Sequence, residues 1–278
     1  MWFGRVLKLG LLGGIVALFW EFLVQTTVGW FSSSVFSYGV LIPAISAYLI
    51  WREWPRIKAL EAKPWNLGLA GVLAGCALAV MGTLSGILLV SGVGLVAVLV
   101  GCTGFVWGSA RARAIVGPVA FLAFMVPWPS YAMGSLTWQL QTLASTAGAR
   151  ILQSLGVVVF QNGNLLILPH DVLEVKEACS GTHSLFALLA LATLMAFLQN
   201  RRWVQRGLLI LSVPFVALAM NVVRIVGTGL LASRFSGLAS NETLHMAWGV
   251  VIFLLASLLL VAENQGLQWV FAKFGWAR

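Results

Sequence analysis

Apolar runs of about 18–20 residues recur along almost the whole chain, separated by short polar or basic segments. A helix needs about 20 apolar residues to cross the hydrocarbon core of a bilayer. The pattern therefore predicts one integral membrane domain, residues 1–278, of the all-α polytopic class with about eight transmembrane helices. The predicted spans cover approximately residues 6–26, 39–52, 66–89, 92–109, 114–127, 180–199, 207–231 and 245–261. The third and fourth are rich in Gly and Ala, which predicts close helix packing, with a tight turn near Ser91-Gly92.

The segment 130–178 lacks this pattern and predicts an extracytoplasmic insert between spans five and six. Trp138 to Leu155 is moderately amphipathic, which favours an interfacial helix. Apolar runs on both sides of Asn162-Gly163 are typical of a β-hairpin. An open sheet edge cannot face lipid, so the hairpin should lie outside the membrane or be packed within protein. The predicted strands are 157–160, 165–168 and a third over 172–175.

The distribution of charge sets the topology. Charged residues make up 9% of the chain, and the net charge of +9 comes from Lys and Arg in short clusters between apolar runs. Such clusters are typical of cytoplasmic loops rather than of a nucleic-acid-binding surface. Arg5 and Lys8 precede the first apolar run, and no small-residue cleavage site follows, so we expect a retained span. The prediction is a multi-pass protein of the cell (inner or plasma) membrane with both termini cytoplasmic.

Three side chains that could carry chemistry fall at one predicted depth, near the outer face. Cys179 starts span six, Arg224 lies in the outer half of span seven, and His245 starts span eight. A thiolate is a nucleophile, a histidine can take its proton and return it to a leaving amine, and an arginine can stabilise an oxyanion. The set predicts acyl transfer through a thioester. The spacing of the cysteines predicts neither a disulfide framework nor a metal site, and no cofactor is expected.

Five further residues are candidates for supporting or substrate-binding roles. Backbone N–H groups of Ser180 and Gly181 could approach the same oxyanion, and Asn221 lies about one turn before Arg224. Glu177 could orient a histidine or bind a basic substrate group, or it could simply be a solvated carboxylate that complements a helix N-terminus. His183, four residues after the cysteine, is a second histidine near the thiol.

Three motifs in order resemble the exosortase/archaeosortase family. They are Glu177-Ala-Cys-Ser-Gly-Thr-His-Ser-Leu185, Asn221-Val-Val-Arg-Ile225 and His245-Met-Ala-Trp-Gly249. The resemblance extends over about residues 35–255 and includes Phe124-Met-Val-Pro127. One departure is His183, where many members have an arginine.

The resemblance implies a membrane cysteine protease or transpeptidase with Cys179 as nucleophile, Arg224 as transition-state arginine and His245 as general base. Its implied partners are exported proteins whose C-terminal sorting signal combines a short motif, a membrane helix and a basic tail, as in PEP-CTERM tails. The acyl group would pass to an amine on the envelope surface, including an amine-bearing lipid. Two alternatives stay open: an intramembrane hydrolase that ends in water attack, and a small transporter or scaffold in which Asn221 and Arg224 line a polar path.

Overall fold

The protein is described by a computed structural model over residues 13–169, 171–175, 182–199, 202–235 and 242–274. This part of the chain is mostly helical and contains one small sheet. Two 3₁₀ segments, Ser34–Val40 and Phe121–Met125, adjoin the helices. The helices are α1 (Trp20–Ser32), α2 (Leu41–Ala59), α3 (Leu67–Ser85), α4 (Leu88–Trp107), α5 (Ser109–Ala120), α6 (Ser130–Ser154), α7 (Thr182–Gln199), α8 (Trp203–Ala232) and α9 (Glu242–Lys273). The strands are β1 (Phe160–Asn162), β2 (Leu165–Ile167) and β3 (Val172–Glu174).

Within the described ranges, five helical segments are long and apolar enough to cross a membrane. They are Val35–Ala59, Leu67–Ser85, Leu88–Trp107, Trp203–Ala232 and Met246–Lys273. Large apolar side chains on their surfaces are exposed, such as Leu84 and Phe215, as expected where a helix faces lipid. The membrane class is therefore confirmed.

The predicted count of eight spans is not confirmed. Five of the predicted spans correspond to the five long apolar segments. The predicted span 114–127 is divided between α5 and the 3₁₀ segment that follows it. The predicted span 180–199 coincides with the apolar helix α7, which adjoins residues outside the described ranges at both ends. The first predicted span begins within residues 1–12, which lie outside the described ranges.

Two helix ends differ from the apolar pattern. α2 continues to Ala59, so Arg52 and Arg56 lie within the helix rather than in the loop after it. α9 likewise continues to Lys273, well past the end of its apolar run. Backbone hydrogen bonding continues where the sequence turns polar, and cations in a last turn complement the partial negative charge there.

The chain forms two compact units, Met1–Ser130 and Tyr131–Arg278. In the first, α3 and α4 form a closely packed antiparallel pair, as their glycine content predicts. A Cβ added at Gly75 would lie 2.7 Å from the carbonyl oxygen of Gly94, and a Cβ at Gly94 would lie 2.7 Å from that of Gly75. Only glycine permits this approach of two backbones.

The turn between α3 and α4 is not at Ser91-Gly92, as predicted, but five residues earlier. Gly86 ends α3 with φ +69°, and the N–H of Ile87 donates to the carbonyl of Gly82 at 3.1 Å. This left-handed glycine cap is a common helix ending. Ser91 and Gly92 instead lie buried inside α4.

In the second unit the strands form an antiparallel sheet in the order β1-β2-β3. Asn162 pairs with Leu165, so the hairpin turn is Gly163-Asn164, one residue later than predicted, and β1 begins at Phe160 rather than at 157. Gly163 has φ +62° and Asn164 does not have a positive φ, as a type II′ turn requires. The sheet packs against α6 and α8 through a buried apolar cluster. Its members include Leu166, Leu173, Val175, Leu152 and Ile225.

α6 packs in parallel against α8 around Gly148 and Gly229. A Cβ at Gly148 would lie 2.7 Å from Cγ2 of Ile225, and a Cβ at Gly229 would lie 2.6 Å from Cδ1 of Leu152. Gly148 contacts Ile225, and four residues later on each helix Leu152 contacts Gly229. The two helices therefore run in the same direction with matching levels. An amphipathic helix was expected in the plane of the membrane interface. In the structure α6 packs beside the candidate span α8, and the location of α6 at the membrane interface stays a prediction.

Candidate active site

A buried polar stripe on α6 holds both ends of the segment that contains Cys179. Gln141 Nε2 donates to the carbonyl oxygen of Val175 at 3.1 Å. One turn earlier, Thr137 Oγ1 lies 3.1 Å from Thr182 Oγ1, at the start of α7. Residues 176–181 themselves are outside the described ranges. Their two flanking residues are therefore anchored on adjacent turns of one helix.

Val175 is held by the hairpin as well as by α6. Its N–H donates to the carbonyl of Asn164 at 3.0 Å, and Asn164 Nδ2 donates to the Val175 carbonyl at 3.3 Å. The residue is 1% exposed, so these bonds replace water that cannot reach it. The β2–β3 pairing thus continues to the last residue before the segment with the cysteine.

Arg224 is buried in α8, with 8% of its surface exposed. Its carbonyl oxygen accepts hydrogen bonds from Thr228 Oγ1 at 2.9 Å and from the indole N–H of Trp248 at 3.3 Å. Its guanidinium lies against α9, because a Cβ at Gly249 would be 3.6 Å from Nη1. A buried charge in a membrane helix is costly and is typical of a functional position.

The same contact relates Arg224 to the position of His245. Residue 245 lies in α9 four residues before Gly249, so the two positions share one face of that helix. Trp248 also packs on Gly227, whose added Cβ would be 2.9 Å from Cζ2. Trp248 and Gly249, the last two residues of the motif that begins at His245, therefore contact α8 next to Arg224. The His245 side chain is outside the described structure.

Two buried polar atoms lie at nearly the same level on α6 and α8. Asn221 Nδ2, in a side chain 4% exposed, and Ser145 Oγ, in a side chain 0% exposed, have no hydrogen-bond partner within the described ranges. From the register of Gly148 with Ile225, Ser145 lies level with residue 222. A buried polar group without a partner costs about 1–3 kcal/mol, so both atoms are candidates to contact a further group.

The anchoring side chains on α6 lie nearer the N-terminal end of α8 than Arg224 does. Gln141 precedes Gly148 by seven residues, about 10 Å of helix rise, and Gly148 is level with Ile225. The anchored carbonyl of Val175 is thus displaced toward the N-terminal end of α8. Side chains on a helix lean toward its N-terminus, so an arginine at position 224 leans toward the level of the Val175 carbonyl.

The remaining predicted site residues stay predictions. Glu177, Cys179, Ser180 and Gly181 lie outside the described residues, and of His183 only the helical backbone is described. Within the described ranges, no group of His, Cys, Asp or Glu side chains could hold a metal ion.

Sequence reasoning missed the α6 stripe. Thr137, Gln141 and Ser145 recur every four residues, which places them on one helix face, and all three are buried. That spacing in the sequence could have indicated one polar face of the helix. Trp138 to Leu155 was predicted only as a moderately amphipathic interfacial helix. In the structure Gln141 bonds the backbone carbonyl of Val175, and Thr137 contacts the side chain of Thr182.

The chain was compared with known protein families. A family described as transmembrane exosortase matches residues 30–262, which include all three motifs. Among curated proteins and among solved structures, no match to the chain was found.

Proposed function

Because the chain belongs to the transmembrane exosortase family, a family of membrane transpeptidases and proteases, we propose that it cleaves C-terminal sorting signals of exported proteins through a thioester at Cys179. The observation that carries the proposal is the family match over residues 30–262, which spans the cysteine, arginine and histidine motifs. The burial of Arg224 against the α9 face that includes position 245 supports it.

The proposed reaction has two acyl transfers. His245 accepts the Sγ proton as Cys179 attacks the scissile carbonyl, and the guanidinium of Arg224 stabilises the oxyanion. Collapse of the tetrahedral intermediate breaks the C–N bond, and the proton passes to the leaving amine. A second amine, on a lipid or another envelope acceptor, then attacks the thioester and releases the thiol. Water at this step would give hydrolysis, and the thioester is common to both outcomes.

The α6 anchors fit this chemistry. A nucleophile contributes most when its position is fixed before the substrate arrives. The hydrogen bonds of Gln141 and Thr137 to the two flanking residues restrict the backbone on both sides of residues 176–181. In the described sheet β3 is an edge strand that leads into this segment, so an extended substrate could pair beside it.

The substrate and the topology follow from the same proposal. The sorting signal would combine a short motif, a membrane helix and a basic tail, with cleavage on the extracytoplasmic side and both termini of the enzyme in the cytoplasm. An impermeant thiol reagent should then label Cys179 from the outer side of intact cells in a variant that lacks Cys76 and Cys102. Labelling only from the cytoplasmic side would contradict this orientation.

The test of function is co-expression with a tailed substrate. Cys179→Ala should abolish processing, and Arg224→Ala should reduce it about 10²- to 10³-fold, the loss typical of one oxyanion donor. His245→Ala should remove processing while His183→Ala retains most of it. The matched controls are Cys102→Ala and Arg52→Ala. Processing by the Cys179→Ala variant would disprove the nucleophile, and the mass of the new C-terminus would distinguish an amide from a free carboxylate.

A further inference from the structure

The first unit contains a cavity that the proposed function does not use. It lies between the C-terminal end of α2 and the start of α5 and has a volume of about 400 Å³. Its lining includes two guanidinium groups, Arg56 and Arg113, one carboxylate, Glu53, and the apolar side chains of Ile57 and Leu60. The cavity therefore combines two positive charges and one negative charge with a hydrophobic wall.

The wall of this cavity is held by Arg111. Its Nε and Nη2 donate to the Leu60 carbonyl at 3.1 and 2.9 Å, and Nη2 also donates to the Lys58 carbonyl at 3.0 Å. These bonds join the last carbonyl groups of α2 to α5. The guanidinium of Arg111 thus bonds backbone carbonyls, whereas Arg56 and Arg113 line the cavity. Arg113 also donates from Nε to the Ser109 carbonyl at 3.3 Å.

Three tryptophans indicate the depth of the cavity. Trp54 lies near the end of α2, Trp65 just before α3 and Trp107 at the end of α4, and they are 52%, 42% and 41% exposed. Partly exposed tryptophans at the ends of membrane helices mark the interface between hydrocarbon and water. The cavity lies at the same end of α2 as Trp54, so we expect it at the level of the lipid head groups.

The ion pair within the cavity is loose. Arg56 Nη1 is 3.7 Å from Glu53 Oε2; the Arg56 side chain is largely exposed and that of Glu53 about half exposed. Such an ion pair contributes little stability, so Arg56 or Glu53 can leave it to bind a ligand group of opposite charge. Arginine binds phosphate oxygens well, and a carboxylate is the natural partner of an ammonium group.

We propose that this cavity binds the head group of a membrane phospholipid that contains both a phosphate and a primary ammonium, the phosphoethanolamine class. The phosphate lies between Arg56 and Arg113, and the ammonium pairs with Glu53. A basic pocket between helices on the cytoplasmic side is a recurrent site for lipid head groups, and the carboxylate here adds selectivity for an amine-bearing lipid. The site is separate from the proposed transpeptidase chemistry.

The test measures which lipids the purified protein retains. The protein is placed in nanodiscs of equal phosphatidylethanolamine and phosphatidylglycerol, extracted with mild detergent, and its bound lipids are quantified by mass spectrometry. Glu53→Gln should lower the ratio of retained phosphatidylethanolamine to phosphatidylglycerol about threefold, in keeping with the modest energy of an exposed ion pair. Glu61→Gln, which makes the same charge change at a carboxylate that pairs with Lys63 outside the cavity, should leave the ratio unchanged.

A second pair of variants tests the phosphate contact. Arg113→Gln should lower retention of both lipids, whereas Arg52→Gln, outside the lining, should not. Equal ratios in Glu53→Gln and wild type would overturn the proposal, as would equal losses in the two arginine variants. Soluble glycerophosphoethanolamine should not displace the lipid, and displacement would reject the membrane lipid as the ligand.

Discussion

The carbonyl of Val175 offers a sharp test of how the Cys179 segment is held. It accepts hydrogen bonds from two side chains on different elements, Gln141 Nε2 at 3.1 Å and Asn164 Nδ2 at 3.3 Å. Gln141→Met removes the first donor with little change of volume, and Asn164→Ala removes the second. After either change the buried carbonyl keeps one partner, so each variant should lose about 0.5–1.5 kcal/mol of unfolding free energy.

The double variant should lose more than the sum of the single losses. It leaves the backbone carbonyl of Val175, a residue that is 1% exposed, without either side-chain donor. An unsatisfied buried carbonyl costs about 1–3 kcal/mol, so we expect a coupling energy of about 1–2 kcal/mol. The N–H of Val175 still donates to the Asn164 carbonyl, so the strand pairing remains.

Two assays measure this effect. Unfolding by SDS titration in mixed micelles gives the stability, and the rate of maleimide reaction at Cys179 reports whether the thiol stays in place. Both use a background without Cys76 and Cys102. Losses that add within about 0.5 kcal/mol would refute the shared acceptor. Thr142→Val on the exposed side of α6 is the matched control, and it should change neither the stability by much nor the maleimide rate.

Two further predictions concern the helices around Arg224. Gly148→Val would force a side chain against Ile225 and should cost about 1–3 kcal/mol in the same titration, whereas Gly134→Ala, on the same helix with open space at its Cβ, should be neutral or stabilising. A neutral Gly148→Val would contradict the α6–α8 packing. Trp248→Phe removes the indole donor to the Arg224 carbonyl and should cost about 1 kcal/mol and slow processing of a tailed substrate. Unchanged stability and processing would show that this bond does not position Arg224.

The sequence predicts the membrane class and the close α3–α4 packing because both follow from local composition. Gly75 and Gly94 show this directly, since a helix rich in glycine can approach its neighbour closely. The turn between these helices could not be placed in the same way. Several glycines in this region could end α3, and among them Gly86 is the one with the left-handed φ of a helix cap.

Burial of polar residues was the harder part to predict. Gln141 looks like a surface residue in the sequence, because nothing nearby in the chain supplies its partner. Its acceptor, the Val175 carbonyl, is 34 residues away, and only the tertiary fold brings the two together. Arg224 could be identified from the sequence because a charge inside an apolar run is conspicuous whatever surrounds it.

The proposed thioester between Cys179 and the sorting signal can be intercepted with hydroxylamine. Hydroxylamine attacks thioesters in place of the natural amine, so membranes with enzyme and tailed substrate should release a product whose new C-terminus is a hydroxamate. The account predicts this mass by peptide mass spectrometry with the wild-type enzyme and its absence with Cys179→Ala. A hydroxamate formed by the Cys179→Ala variant, or only a free carboxylate from the wild-type enzyme, would contradict it.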